Sequence, residues 1–147
     1  NAFVGGSSNN PAIEEVEGVI DINFSTLALA PAIGTPTLEC VDGSGVEVRN
    51  SIIMSTNAAT EVGCPNVTVL NSALEMAMGD NVALGNVDIN WFTDYLAGDF
   101  HLKSNNYPTE IQAAALWESG DPTTDIDGDL RPMADGTPDF AGADRLP

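Results

Sequence analysis

Cations are scarce in this 147-residue chain: Arg49, Lys103, Arg131 and Arg145 stand against 22 Asp and Glu, for a formal charge of -18. Four positive side chains cannot neutralise a phosphate backbone, and a surface this acidic is repelled by anionic lipid. Nucleic acid and membrane surfaces are therefore excluded as partners. No run of about 18 apolar residues is present, so membrane insertion by a helix is excluded as well. The chain opens on Asn1 with no basic and apolar leader, which reads as an upstream part removed or missing. Aromatics make up 6% of the residues, His101 is the single histidine, and Cys40 and Cys64 are the only cysteines.

What is present is enough to fold. The apolar fraction of 43% is ordinary for a globular chain and offsets conformational entropy despite the charge. Acidity of this kind keeps a surface hydrated and discourages aggregation. It also supplies the oxygen ligands that calcium prefers, so a calcium-binding reading stands beside the solvation reading.

Short strand-like phrases recur. Val19–Asn23, Val46–Asn50, Val67–Asn71 and Val87–Asn90 each alternate apolar with polar residues and end in Asn. With Asn1 they form a series, Asn1, Asn23, Asn50, Asn71 and Asn90, spaced roughly 20 to 30 residues apart as in a solenoid. Asn tolerates the left-handed backbone of a corner, and stacked amides can bond along a ladder. Gly, Ser, Pro and Thr clusters at 5–11, 30–36, 42–45, 55–60 and 79–81 read as loops between rungs. About five coils are expected over 1–93, followed by a capping segment over 94–147. In that segment Thr109 and Gln112 have capping-box spacing and predict a short helix ending near Gly120.

The phrases VRNSII and VTVLNSAL resemble those of right-handed parallel β-helix repeat proteins with a pectate-lyase-like fold. The tail resembles the closing segment of bacterial secreted β-helix proteins that end in a choice-of-anchor domain. It does so through Asp99-Phe-His-Leu102, Gly120-Asp-Pro122, Asp125-Ile-Asp-Gly-Asp-Leu-Arg-Pro132 and Pro138-Asp-Phe-Ala-Gly-Ala-Asp144. One departure is visible: Tyr107–Ser119 stands where that family carries an SPAID phrase. The resemblance implies an all-β fold, a right-handed parallel β-helix with an irregular cap containing a short helix. It also implies a secreted or outer cell-surface protein whose partners are upstream coils, neighbouring subunits or polysaccharide.

In coil register Cys40 and Cys64 fall on neighbouring turns, close enough for a disulfide and hence for an oxidising compartment; two buried free thiols are the other reading. Asp125, Asp127 and Asp129 alternate like early ligands of a calcium loop, although Leu130 and Gly136 stand where an EF-hand needs Gly and Glu. The competing reading has these Asp side chains cap turns and accept from Arg131, fastening the tail over the last coil. His101 lies between Phe100 and Leu102, as a packed histidine would. Trp91, Trp117, Tyr95 and Tyr107 are candidates either for stacking on sugars or for covering a solenoid end. A lyase would need a cation beside its substrate, and Arg49 is the sole coil candidate; Asp21, Glu47 and Asp88 are the only carboxylates at related rung positions. These features weigh against catalysis and favour a structural or binding segment. A carbohydrate-active enzyme with catalytic coils upstream, or a filament subunit, are the alternatives.

Overall fold

The computed structural model describes all residues except 7–9, 30–33, 43, 56–60 and 86–87, and gives only the backbone of residue 29. The loops expected at 30–36 and 55–60, and the first residue of the phrase at 87–90, lie largely or wholly outside the described residues.

The chain is all-β, and its first two-thirds form parallel sheets. Strands β1 (Ala2–Gly5), β2 (Ile13–Glu15) and β3 (Ile20–Asn23) make one pass. A second pass follows as β4 (Ser25–Leu29), β5 (Leu38–Cys40) and β6 (Val46–Arg49), and a third as β7 (Ile52–Ser55), β8 (Val62–Gly63) and β9 (Thr68–Leu70). Each pass visits three sheets in the same order, so that β1, β4 and β7 pair in the first, β2, β5 and β8 in the second, and β3, β6 and β9 in the third. Partners run in unbroken parallel register, as in Ile22↔Val48↔Val69. Then the pattern shortens. Strands β10 (Ala73–Leu74) and β11 (Val82–Ala83) extend only the first sheet, giving it five strands against three in the others. Five coils are expected, and among the described residues three passes visit all three sheets. At the last phrase, Ile89–Trp91 is a 3-10 turn capped by the Asp88 carboxylate and not a strand.

Alternation explains β3, β6 and β9, whose inward residues Ile22, Val46, Val48 and Val69 are buried while outward neighbours are not. It fails for β7, where every residue is buried. The reason is a second apolar layer. Leu27, Ile53 and Leu74 face an inner cluster with Leu38, Val46 and Val48. Ala28, Ile52, Met54 and Ala73 face an outer cluster made with the tail's Phe92, Tyr95, Phe100, Leu102, Ile111 and Trp117. The first sheet is thus covered on both faces, as buried parallel sheets are.

The tail provides that cover. Strands β12 (Phe92–Asp94) and β13 (Asp99–Leu102) pair antiparallel, as do β14 (Ala115–Trp117) and β15 (Thr137–Asp139). The expected boundary at residue 93 falls inside β12. The expected helix is a single 3-10 turn, Thr109–Ala113, with Pro108 at its N-cap and no side-chain cap, and Gln112 donates to the Tyr107 hydroxyl instead. Pairing with β15 and burial of Ala115 and Trp117 override the helical preference of the Ala-rich run. Sequence placed this segment over the last coil. In the structure it lies along the outer face of the first sheet, reaching back to Phe3 at one edge strand, where the Phe3 and Phe100 ring centroids are 5.8 Å apart.

Fully burying a Phe, Ile or Met side chain is worth about 1.5–3 kcal/mol, against about 0.5–1.5 kcal/mol net for a hydrogen bond. Apolar burial therefore holds the tail down, and polar contacts set where it sits. Gly142 shows how closely the layers meet: its N–H donates to the Asn50 carbonyl at 2.9 Å, and a Cβ there would stand 2.8 Å from Ile52 Cδ1. Among the described residues no helix is long and apolar enough to cross a membrane.

Candidate functional site

The corner between the third and first sheets is where the sequence signal is densest. Phe24, Asn50 and Asn71 take positive φ values of 44°, 54° and 48°. They stack in register, since Phe24 N–H donates to the Arg49 carbonyl and Asn50 N–H to the Leu70 carbonyl. Asn23 was the expected corner residue, but register pairs it with Arg49, one position early. Phe24 occupies the corner instead, a conformation unusual for a bulky residue. Of the expected asparagine ladder, the Asn50 amide donates to the Asn23 Oδ1 at 3.1 Å. Asn1 donates to the Thr124 carbonyl, and Asn90 to the Asp88 carboxylate two residues away. Asn71 shares the corner backbone.

A different ladder runs beside it. Ser25 N–H donates to Ser51 Oγ at 3.1 Å, Ser51 N–H to Ser72 Oγ at 3.1 Å, and Ser72 N–H to Asn81 Oδ1 at 2.9 Å. Each serine hydroxyl in turn donates to the carbonyl two residues earlier. These groups are buried, and the column satisfies donors that a tight corner would otherwise strand. The signal was a serine directly after each corner residue, at Phe24-Ser25, Asn50-Ser51 and Asn71-Ser72.

The tail docks on this corner. The Arg131 guanidinium, fully buried, donates to Asp139 at 2.9 Å and to the carbonyls of Phe140, Gly142 and Ala143, and lies 4.1 Å from the centroid of the Phe24 ring. Desolvation lowers its pKa, and the Asp139 hydrogen bond and charge act against that. The Arg131 hydrogen bonds to Asp139 and the three carbonyls all lie within the tail and none goes to the Asp triplet, while the Phe24 ring is its contact with the parallel sheets. Asp121, also buried, accepts from Asn23 at 2.6 Å, from Asn50 and Arg49 at 3.4 Å, and from the Glu118 N–H.

The three aspartates at 125, 127 and 129 serve different ends. Asp125 is buried; its Oδ1 accepts from the N–H groups of Asp127 and Asp129, and its Oδ2 from that of Arg145. That is turn-capping. Asp127 is exposed and meets His101 Nε2 at 3.2 Å, while Asp129 is exposed. Among the described residues no group of three or more His, Cys, Asp or Glu is placed to hold a metal ion. The His101 Nδ1 is bonded to Asp99, and its ring packs edge-on against Phe3. Desolvation pulls the imidazole pKa down, but the Asp99 hydrogen bond and the charges of Asp127, Asp99 and Asp144 outweigh it, and the net shift is upward. Asp99 is held below the ordinary carboxylate range, first by its bond to His101, and burial pushes Asp144 above it.

The remaining candidates do not converge. Arg49 pairs with Glu47 at 3.1 Å and Asp121 at 3.4 Å, which commits it to the scaffold. Asp21, Glu47 and Thr68 do share one outward column, but Asp88 caps a turn elsewhere. Tyr95 and Trp117 are buried, and Trp91 and Tyr107 pack half-buried against the outer cluster, so the four present no shared stacking face. Cys40 and Cys64 are bonded, with Cα atoms 4.6 Å apart on adjacent passes, which removes the free-thiol reading. Such a bond persists in oxidising surroundings. No protein-family model, curated protein or solved structure matches the chain.

Proposed function

We propose that the chain is a non-catalytic structural segment of a secreted or cell-surface right-handed parallel β-helix protein, of the kind its coil and tail phrases resemble. The observation that carries this reading is the threefold repetition of the same sheet order with in-register parallel partners from pass to pass. A coil wound in this way is stiff because each pass contacts its neighbours through backbone ladders and a continuous core. The Cys40–Cys64 bond, which ties two passes together, supports an exported location.

The partner reading rests on the edges. Strands β1, β2 and β3 each end their sheet, and a depression of about 420 Å³ beside them is lined by Val4, Ile13, Ile22 and Leu27. Three parallel edges around a mouth that also carries Asn1, Asp21, Asn23 and Ser25 fit a further rung of the same kind, from upstream coils or a neighbouring subunit. Turnover of neutral and acidic polysaccharides by the parent protein tests the non-catalytic role. The expected result is that substituting Arg49, Asp21 or Glu47 leaves any turnover unchanged; a loss would overturn it. A crystal structure with the passes wound left-handed would overturn the coil reading.

A further inference from the structure

The corner between the second and third sheets carries a feature that neither the coil architecture nor the tail uses. Val16 and Val41 follow the paired residues Glu15 and Cys40, and the ladder continues through Val41 N–H to the Glu15 carbonyl at 3.0 Å. Because Glu15 and Cys40 are buried, alternation turns both valines outward, and they are 66% and 69% exposed. Val19, 84% exposed, lies at the other end of the same β2–β3 connection, against Gly45. A soluble surface rarely gathers three such side chains without a use.

From Val19 a groove of about 340 Å³ runs across Asp21 and Glu47 toward Asn66 and Thr68. Asp21 and Glu47 are direct register partners on adjacent parallel strands, a like-charge pairing that is destabilising when left uncompensated. Arg49 answers Glu47, while among the described residues Asp21 has no ion pair. Exposed Glu14, Glu17 and Asp42 surround the valines. Apolar anchors beside Asp21, which has no ion pair among the described residues, match a ligand that presents both a hydrophobic side chain and a nearby cation.

We propose that this corner is a docking surface for a cationic polypeptide segment, with an apolar side chain seated on Val16, Val19 and Val41 and a Lys or Arg reaching the Asp21–Glu47 pair. A second copy of this chain is a poor occupant, since its own charge of -18 would be brought against the same carboxylates. A bare polycation leaves the valines exposed. The surface adjoins the β1–β3 edge, since Asp21 lies in β3 and lines the depression there as well as the groove.

The test titrates the whole chain at near-physiological salt with two synthetic peptides of equal length, one alternating Lys with Leu and one alternating Lys with Ser. The Lys/Leu peptide should bind at least about tenfold more tightly than the Lys/Ser peptide. Val16→Ser with Val41→Ser, and separately Asp21→Asn with Glu47→Gln, should each weaken it about tenfold. Removing two exposed carboxylates elsewhere, Asp80→Asn with Glu110→Gln, should leave it unchanged. Equal affinity of the two peptides, or equal weakening by the remote pair, would overturn the proposal in favour of diffuse electrostatics. Hydrogen exchange on the unmodified protein gives an independent readout: protection by the Lys/Leu peptide should centre on residues 14–21 and 39–47, and protection centred on β1 or on the tail would overturn it as well.

Discussion

Arg131 orders the tail where it meets the Phe24 corner. It is buried together with Asp139, stacks on Phe24, and places hydrogen bonds on three tail carbonyls. Removing one partner of a buried ion pair leaves the other charge uncompensated, at a cost of about 3–5 kcal/mol. Arg131→Leu should therefore lower unfolding stability by about that amount in urea titrations, and Arg131→Leu with Asp139→Leu should recover much of the loss. His101 acts on pH. Its raised pKa contributes stability that is complete below the ordinary imidazole range and is lost as pH rises through the raised value. Asp99, depressed, contributes above the ordinary carboxylate range and loses its share as pH falls through its lowered value, whereas buried Asp144 opposes it by favouring the protonated form. As pH rises above the ordinary imidazole range the melting temperature of the unmodified protein should fall relative to that of His101→Gln; an identical profile in the variant would show that His101 contributes nothing.

At the scale of elements, the serine column decides whether the first and third sheets turn into one another without stranding donors. Ser51 is fully buried, accepts from Ser25 N–H and donates to the Arg49 carbonyl. Ser51→Ala leaves a buried N–H unsatisfied and should cost about 1–3 kcal/mol, measured by chemical denaturation. Serine at the exposed Ser44, whose hydroxyl lies outside this column, provides the control: Ser44→Ala should be close to neutral. The alternating strands β3, β6 and β9 were legible because one face of the third sheet meets water, so solvent imposes period two on the side chains. β7 was not legible as a strand of that kind because the tail covers its outer face, and Ile52, Ile53 and Met54 read as an unpatterned apolar run. The Thr109–Trp117 stretch misled for a related reason: its Ala-rich composition favours a helix locally, but β15 offers Ala115–Trp117 a partner and the outer cluster buries it.

For the whole molecule, the covalent link and the noncovalent cover act on different parts. The disulfide spans 24 positions and encloses β6, β7 and β8, so its loss should release chain entropy in the unfolded state worth about 2–4 kcal/mol. Cys40→Ser with Cys64→Ser should shift the denaturant midpoint by a corresponding amount without altering strand content by circular dichroism. A shift near zero would show that the inner cluster alone sets register.

The sequence by itself determined the all-β class, the spacing of the passes and the poverty of cations. These are properties of local alternation, of residue identity and of net charge, and each acts without knowledge of what lies opposite. Tertiary structure alone decided that the tail lies along a sheet face and that Phe24 and not Asn23 turns the first corner. Those outcomes depend on which distant surface each side chain meets, and burial against a partner more than 90 residues away leaves no periodic mark in the chain.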